Sequence, residues 1–541
     1  MPLGFPHRAG RAVRRAAAFP PVRLLQSRPG PALFAVCAAL LELRVLVPTP
    51  VGLADNTDEA RILCRLRLQP VAIPGQHYSI FFYLNLHYRV NHSIRCTDRY
   101  RTTEYPFVWL ASKISLTLVP GRGLDARILG AVHITLVAAC IALITTAART
   151  AAARLVTVLG LLVLAADPLV ADYFQAAYSE NAEFIGVLAA CGGFLWWRRG
   201  GRAVLPGIAV FAAGSIIALG AKTQMLPSLP LFALLALAAG RAAWPARRSD
   251  RRPDRAAAAA LLAAVLVFLA VLPPSADGHL KFANKMNLVF VSLLPAGHAP
   301  RADLRELGLP AHLATLENLN YWCMDLPNTY SRELSKRLSF PEVGLFLAQH
   351  PVVAARMARS AAVQELAARP TYSVCPGQRT LGTHTVASGA KPDRVDTRLE
   401  LITDLARHAR PLAPLALLLG WVLPVAAVLE ARRRGRGRDP FAGLAVFASG
   451  LALVQFATAA FGDGIDTTKH SVLSLFAMVL GLLFALVSWC NGPSEGSDRG
   501  FFALPGQRRW LQPLLRRGGA GNPAAAPQQA YDDEREQEQV H

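Results

Sequence analysis

Ten stretches of this chain are apolar over roughly the 17 to 25 residues a helix needs to cross a bilayer. They lie near 31–49, 124–147, 155–171, 182–197, 203–220, 225–240, 256–273, 411–429, 440–461 and 471–489. Hydrocarbon offers no partner to a backbone amide, so any stretch that crosses it is helical. Composition agrees: of 541 residues 53% are hydrophobic and 17% charged, and the mean hydropathy is +0.31. That balance argues against a soluble multidomain enzyme and against a disordered chain. The expected fold is an all-α polytopic membrane protein of about ten transmembrane helices, both termini cytoplasmic, with two large extracytoplasmic helical loops.

The placement of charge sets the orientation. The net charge is +21, from 50 arginines and 7 lysines against 36 acids. Without aromatic interleaving this excess does not read as a nucleic-acid surface. Arginines instead fill the short connections on one side: Arg149 and Arg154, then Arg198, Arg199 and Arg202, then six between Arg241 and Arg255, then five between Arg432 and Arg438. Turns on the other side hold Lys222 and Lys469. The positive-inside rule then makes the arginine side cytoplasmic, in a plasma membrane. Glu42 and Arg44 interrupt the first apolar run, so it reads as a retained span, not a signal peptide. The chain divides into a basic N-terminus (1–30), a membrane domain (31–273) containing an outer loop (50–123), a second outer loop (274–410), three further spans (411–489) and a tail (490–541). The tail is rich in Pro, Gly and Gln, ends acidic, and is expected to be disordered. Within the first loop, residues 104–116 suit a helix lying in the interface. Cys64 with Cys96, and Cys323 with Cys375, share outer loops. An oxidising exterior allows a disulfide in each, and four free thiols is the other reading.

Four polar clusters fall in connections on the exterior side. After the first span, Asp55, Asp58, Glu59 and Arg61 place three carboxyls within five residues. Close carboxylates raise one another's pKa, which suits a general base or a cation site; a helix N-terminus capped by Asp55 is the plainer reading. Between the third and fourth spans, Asp167, Asp172, Tyr173, Tyr178, Ser179, Glu180 and Glu183 occur with no basic residue. Asp172 and Glu180 are the candidates there, and the tyrosines read as interfacial anchors. Lys222 stands in a very short turn, against the charge rule; it either snorkels or meets phosphate. Between the ninth and tenth spans, Gly462-Asp463-Gly464-Ile465-Asp466-Thr467-Thr468-Lys469-His470 exceeds what a turn requires. Asp466 and His470, four apart, would share a helical face. Lys281, Asn284, Lys285 and Asn287 form a further patch, read either as lining the same cavity or as a solvated helix.

Asp58-Glu59-Ala60-Arg61, directly after the first span, resembles the acidic motif of the C-type (GT-C) integral-membrane glycosyltransferases, as do the many spans and the first outer loop. Tyr178-Ser179-Glu180 and Gly462-Asp463-Gly464…Lys469-His470 also resemble segments of actinobacterial multispan membrane proteins, a likeness that supplies no activity. The first resemblance implies a polyprenyl-phosphate sugar as donor and an envelope glycan or protein as acceptor. It makes Asp58 the general base, with Asp55 and Glu59 beside it. Lys222, Lys469, His470 and Arg61 would then meet the leaving phosphate, Asp172 and Glu180 would position the acceptor or hold a divalent cation, and Asp463 and Asp466 are further substrate-binding candidates, Asp466 otherwise orienting His470. A divalent cation is allowed by this chemistry but not implied, and the cofactor is left open. A transporter of lipid-linked glycans and a non-catalytic envelope-assembly protein are the alternatives.

Overall fold

The computed structural model describes residues 29–54, 58–71, 84–96, 100–119, 121, 123–240, 278–324, 333–334, 336–369, 396–433, 439–462, 464–465 and 467–492. In chain order the elements that matter here are α1 (Pro29–Leu46), α2 (Asp58–Leu63), β1 (Leu68–Pro70), β2 (His87–Val90), α3 (Tyr105–Leu118), β3 (Leu124–Asp125), α4 (Ala126–Ala147), α5 (Ala151–Ala166), α6 (Ser179–Arg199), α7 (Val204–Leu219), α8 (Leu229–Gly240), α9 (Gly278–Asn287), α10 (Pro351–Glu365), α11 (Leu401–Ala409), α12 (Ala413–Arg433), α13 (Pro440–Gly462) and α14 (Val472–Cys490). The apolar stretch at 256–273 lies outside the described residues, as do Asp55, Asp463, Asp466 and the tail. Among the described residues six helical segments are long and apolar enough to cross a membrane: Ala126–Ala147, Gly201–Leu219, Thr223–Gly240, Leu401–Arg433, Pro440–Gly462 and Val472–Cys490. With 16 residues α5 is shorter, and α1 and α6 carry charged residues. The protein is a multipass membrane protein.

Local chemistry starts these helices where they start. The Asp125 carboxylate accepts the Arg127 amide at 3.0 Å and caps α4, and Thr150 accepts the Ala153 amide at 3.0 Å and caps α5. Extended Tyr178 precedes α6, which ends at Gly200, a residue with φ 77° that favours glycine.

The hub is α6. Nearly every side chain from Ser179 to Leu195 is buried. It lies against α7 with the backbones almost touching. A Cβ on Gly186, Gly193, Gly207 or Gly214 would collide with the facing backbone at Ala218, Phe211, Trp197 or Ala190 respectively. Small residues three and four apart on both helices make that approach possible, which is the usual way helices associate when lipid removes the hydrophobic drive. α4, α13 and α14 pack around the same centre. The outer faces of α7, α8 and α12 carry exposed Leu205, Leu234, Leu237, Leu415, Leu418 and Val422. An apolar surface of that extent needs a non-aqueous cover.

The segment between α1 and α4, expected as a helical outer loop, is not wholly helical. β1, β2 and β3 form an antiparallel three-stranded sheet, with Leu68 paired to Val90 and Tyr88 to Leu124. Leu68, Tyr88 and Leu124 turn inward onto Ile62, Val108 and Leu129, whereas Arg89 points out. That two-residue alternation, split among three short segments, is what a search for helical periodicity passes over. Cys64 and Cys96 are bonded, closing the loop that carries β1 and β2. Helix α3 exposes Trp109, Leu110, Leu116 and Leu118 and buries Val108, Ala111, Ser112 and Ser115. Residues 278–357 hold a second core around Phe282, Phe290, Leu304, Leu338, Phe346 and Met357. Cys323 is disulfide-bonded; Cys375 lies outside the described residues. Lys285 donates to the Leu338 carbonyl at 2.8 Å and Asn287 accepts the Tyr321 amide at 2.7 Å, so this patch braces its own lobe.

The glycine contact is testable. Gly193→Ala should lower the stability of the detergent-solubilised protein by about 1–3 kcal/mol, the usual range for overpacking. Gly344→Ala, whose added Cβ meets nothing within 4 Å, should leave the melting temperature unchanged or raise it. Thermal unfolding followed by size-exclusion fluorescence compares the two.

Candidate functional site

Three of the sequence clusters and the Lys222 turn meet at one end of the helices. Asp58 opens α2, and Arg61, three residues on, donates to its Oδ1 at 2.7 Å. The other carboxylate oxygen, Oδ2, pairs with the ammonium of Lys469. Lys469 belongs to a single helical turn, Thr467–His470, between α13 and α14, and its side chain is fully buried. Its Nζ also sits 4.3 Å from the centroid of the Tyr178 ring, close enough for a cation–π contact. The Tyr178 hydroxyl donates to the Ala54 carbonyl at 2.6 Å, which holds that ring in place. Glu180, in the first turn of α6, pairs with Lys222 at 2.5 Å. The Gln224 amide donates to the His470 carbonyl at 2.5 Å and ties the two lysine turns together.

The electrostatics follow from crowding. Burial opposes ionisation of Asp58, but Lys469, Arg61 and Lys222 overcome it and hold the carboxyl well below the usual carboxylate range. Burial likewise works against charge on Lys222, and Glu180 and Glu183 more than reverse it, so its pKa is raised. Tyr100, whose hydroxyl lies 3.2 Å from Ser179 Oγ, has its phenol pushed up by burial. Asp58 is 29% exposed and Arg61 22%, so the cluster reaches the surface on their side, with Lys469 and Glu180 buried behind them. Among the described residues no three His, Cys, Asp or Glu side chains gather as a cation cage. The Lys469 and Lys222 ammonium groups stand where a cation beside Asp58 and Glu180 would.

Other candidates take different places. Glu59 is buried, with its oxygens accepting from Tyr88 Oη at 2.8 Å and the Ala177 amide at 3.2 Å. It fastens α2 to β2 and to the connection before α6. Tyr173 and Tyr178 are almost wholly buried, so they are not interfacial anchors. Aromatic residues at an interface keep their polar tips wet, and these are enclosed by α6 and its neighbours. Asp172 is also displaced from the expected group. Its charged neighbours are Arg369, Arg44, Asp396 and Asp167, not the lysines. Arg44 bonds Asp396 at 2.7 Å, and Asp167 accepts the Ile402 and Thr403 amides at 2.7 and 3.1 Å. This second cluster clamps residues 396–403 onto the ends of α1 and α5. Sequence reasoning missed Glu104 and His133, which pair at 2.9 Å with both side chains fully buried. His133 Nδ1 lies 2.8 Å from the Phe174 carbonyl. A single histidine inside an apolar run was the available signal.

The chain belongs to the YfdI N-terminal transmembrane domain family, whose sequence profile matches residues 23–493. No curated protein and no solved structure matches it significantly. The family membership makes this a multispan membrane protein.

Asp172 yields a pH test. Neither oxygen of its buried carboxyl has a hydrogen-bond partner among the described residues, and burial pushes its pKa up to about 7, against the pull of Arg369 and Arg44. Below the ordinary carboxylate value of 3.8 both folded and unfolded chains hold this proton. Between there and about 7 only the folded chain does, so its stabilising contribution is lost as pH rises. The slope from one proton is at most about 1.4 kcal/mol per pH unit. Asp172→Asn should therefore gain stability relative to wild type as pH rises across that window and level off above it. Melting curves from about pH 3 to about pH 8, which bracket the roughly three-unit window, read this directly.

Proposed function

We propose that this member of the YfdI N-terminal transmembrane domain family is a glycosyltransferase of the membrane. In this reading it has ten spans with both termini cytoplasmic. It takes a sugar from a polyprenyl phosphate and passes it to an envelope glycan or protein on the extracytoplasmic side. The observation that carries the reading is the contact of Asp58 with Lys469 and Arg61 beside the Lys222–Glu180 pair.

A carboxylate held this far down is a weak base while its cations stay bound to it. A phosphate entering beside Lys222 and Lys469 competes with Asp58 and Glu180 for the same ammonium groups. As the lysines turn to the phosphate, Asp58 regains basicity and accepts the acceptor's hydroxyl proton. The acceptor oxygen then bonds the anomeric carbon, and the bond to the phosphate oxygen breaks. The polyprenyl phosphate departs with its charge on the lysines. A single displacement inverts the anomeric configuration. Donor binding thus switches on the base, which limits proton abstraction in the empty site.

One observation favours transport of lipid-linked glycans instead: the buried Glu104–His133 pair, with Glu183 buried on α6. Ionisable groups inside a membrane domain are functional candidates by default. A comparison of cells with and without the protein separates the readings. Transfer predicts loss of one envelope glycan modification, accumulation of its lipid-linked donor, rescue by wild type and none by Asp58→Asn at equal protein level. An unchanged glycan profile, or full rescue by Asp58→Asn, would overturn the transferase reading.

A further inference from the structure

A cavity of about 170 Å³ lies where α10 meets the segment after α9 and the turn between α13 and α14. Met357 and Ala361 are buried on its α10 side, and Ser360 and Gln364 are exposed at its edge. Across from them stand Val291, Ser292, Pro295 and Ala296. Leu288–Leu293 is a π-helical turn, a departure from regular helix that often accompanies function. Arg356 reaches over the cavity and donates through Nη1 to the Ala296 carbonyl at 3.1 Å. A guanidinium has five N–H donors, so this bond leaves capacity for a ligand.

We infer that this cavity is a second ligand site and that it takes one polyhydroxylated ring, a monosaccharide unit. Its role as the acceptor's subsite rests on the transferase reading; its ability to bind a sugar does not. The volume falls below the roughly 300 Å³ at which drug-sized pockets begin, so a polyprenyl chain is excluded and a single ring is not. Hydroxyls and an amide alternate with Met, Val, Pro and Ala. That mixture matches a ring with hydroxyls on its rim and C–H bonds on its faces. A lone phosphate would find a single cation here, Arg356, whereas among the described residues the Ser292, Ser360 and Gln364 side chains are held only by long bonds of 3.4 Å, Ser292 to the Gly464 carbonyl and Gln364 to Ser360, which ring hydroxyls can replace. The cavity also adjoins the charge cluster. Thr467 lines it, and Thr468 Oγ1 donates to the Gln364 carbonyl at 2.8 Å, in the same turn that bears Lys469. An occupant would therefore press on the element that positions Lys469 against Asp58.

Saturation-transfer NMR on the full chain in detergent tests this, with free glucose, mannose, galactose, rhamnose and glucuronate as probes. At least one should be saturated by wild type and by Asp58→Asn. Arg356→Ala should weaken that binding about tenfold, and Ala361→Phe, which fills the cavity, should abolish it. Gln364→Ala replaces Ala361→Phe if the latter does not fold. No saturation of any sugar by wild type would overturn the proposal, as would saturation that survives the cavity variants. Turnover is not read, so failure of the transferase reading leaves this result intact. Transfer activity without sugar saturation would sink the cavity alone.

Discussion

Two lysine ammonium groups have to leave bulk water for the helices of this protein to pack as they do, and each does so against a carboxylate from a distant part of the chain. Lys469 meets Asp58 across 411 residues, and Lys222 meets Glu180 across 42. Without its carboxylate partner either lysine would be left as an uncompensated charge in a largely dry setting, which is costly. These pairs therefore fix the positions of α2, the start of α6 and two short turns relative to one another. Tyr178 sits between them, its ring under Lys469 and its hydroxyl on Ala54. The same groups that hold the site together are those a phosphate would recruit, so the resting site is assembled from its own competitors.

The arrangement divides labour between two sets of buried charges. One set, Asp58, Arg61, Glu180, Lys222 and Lys469, bonds side chain to side chain and keeps part of Asp58 accessible. The other, Arg44, Asp167, Asp172, Arg369 and Asp396, is enclosed and bonds largely to backbone groups. Backbone partners cannot be exchanged for a ligand, which suits a clamp. Between the two, α6 and α7 meet through glycines that bring their backbones together. That contact leaves little freedom at the end of α6 where Glu180 stands.

Much of the membrane architecture was legible because hydropathy reports what a helix would present to lipid. That is also why α6 was hard to read. A helix enclosed by protein can carry Glu180 and Glu183, and it then scores poorly although it is the centre of the bundle. The candidate residues were legible for a related reason. Ionisable groups in turns of two or three residues at a membrane surface need partners, so Lys222 and Lys469 stood out in sequence. Who their partners are depends on how loops far apart in the chain fold back, which spacing does not encode. Hence Asp172 was grouped with Glu180, though its carboxyl faces two arginines. Tyr178 read as an anchor, since burial of an aromatic next to an apolar run leaves no mark. The three-stranded sheet escaped notice because each strand is four residues or shorter.

The Asp58–Lys469 pair holds α2 and the turn between α13 and α14 in contact. Thiol cross-linking of Asp58→Cys with Lys469→Cys tests it most directly, in a chain whose Cys37, Cys140, Cys191 and Cys490 are replaced by alanine. Losing both partners leaves no buried ammonium uncompensated, and Arg61, which also loses Asp58, is part-exposed. Asp58→Cys with Asp439→Cys is the control, because Asp439 precedes α13, whose 23 residues put its two ends about 34 Å apart. A short bifunctional reagent should join the first pair within one chain and leave the control unlinked. Two accessible thiols that fail to join in the first pair, or that join equally in the control, would contradict the account.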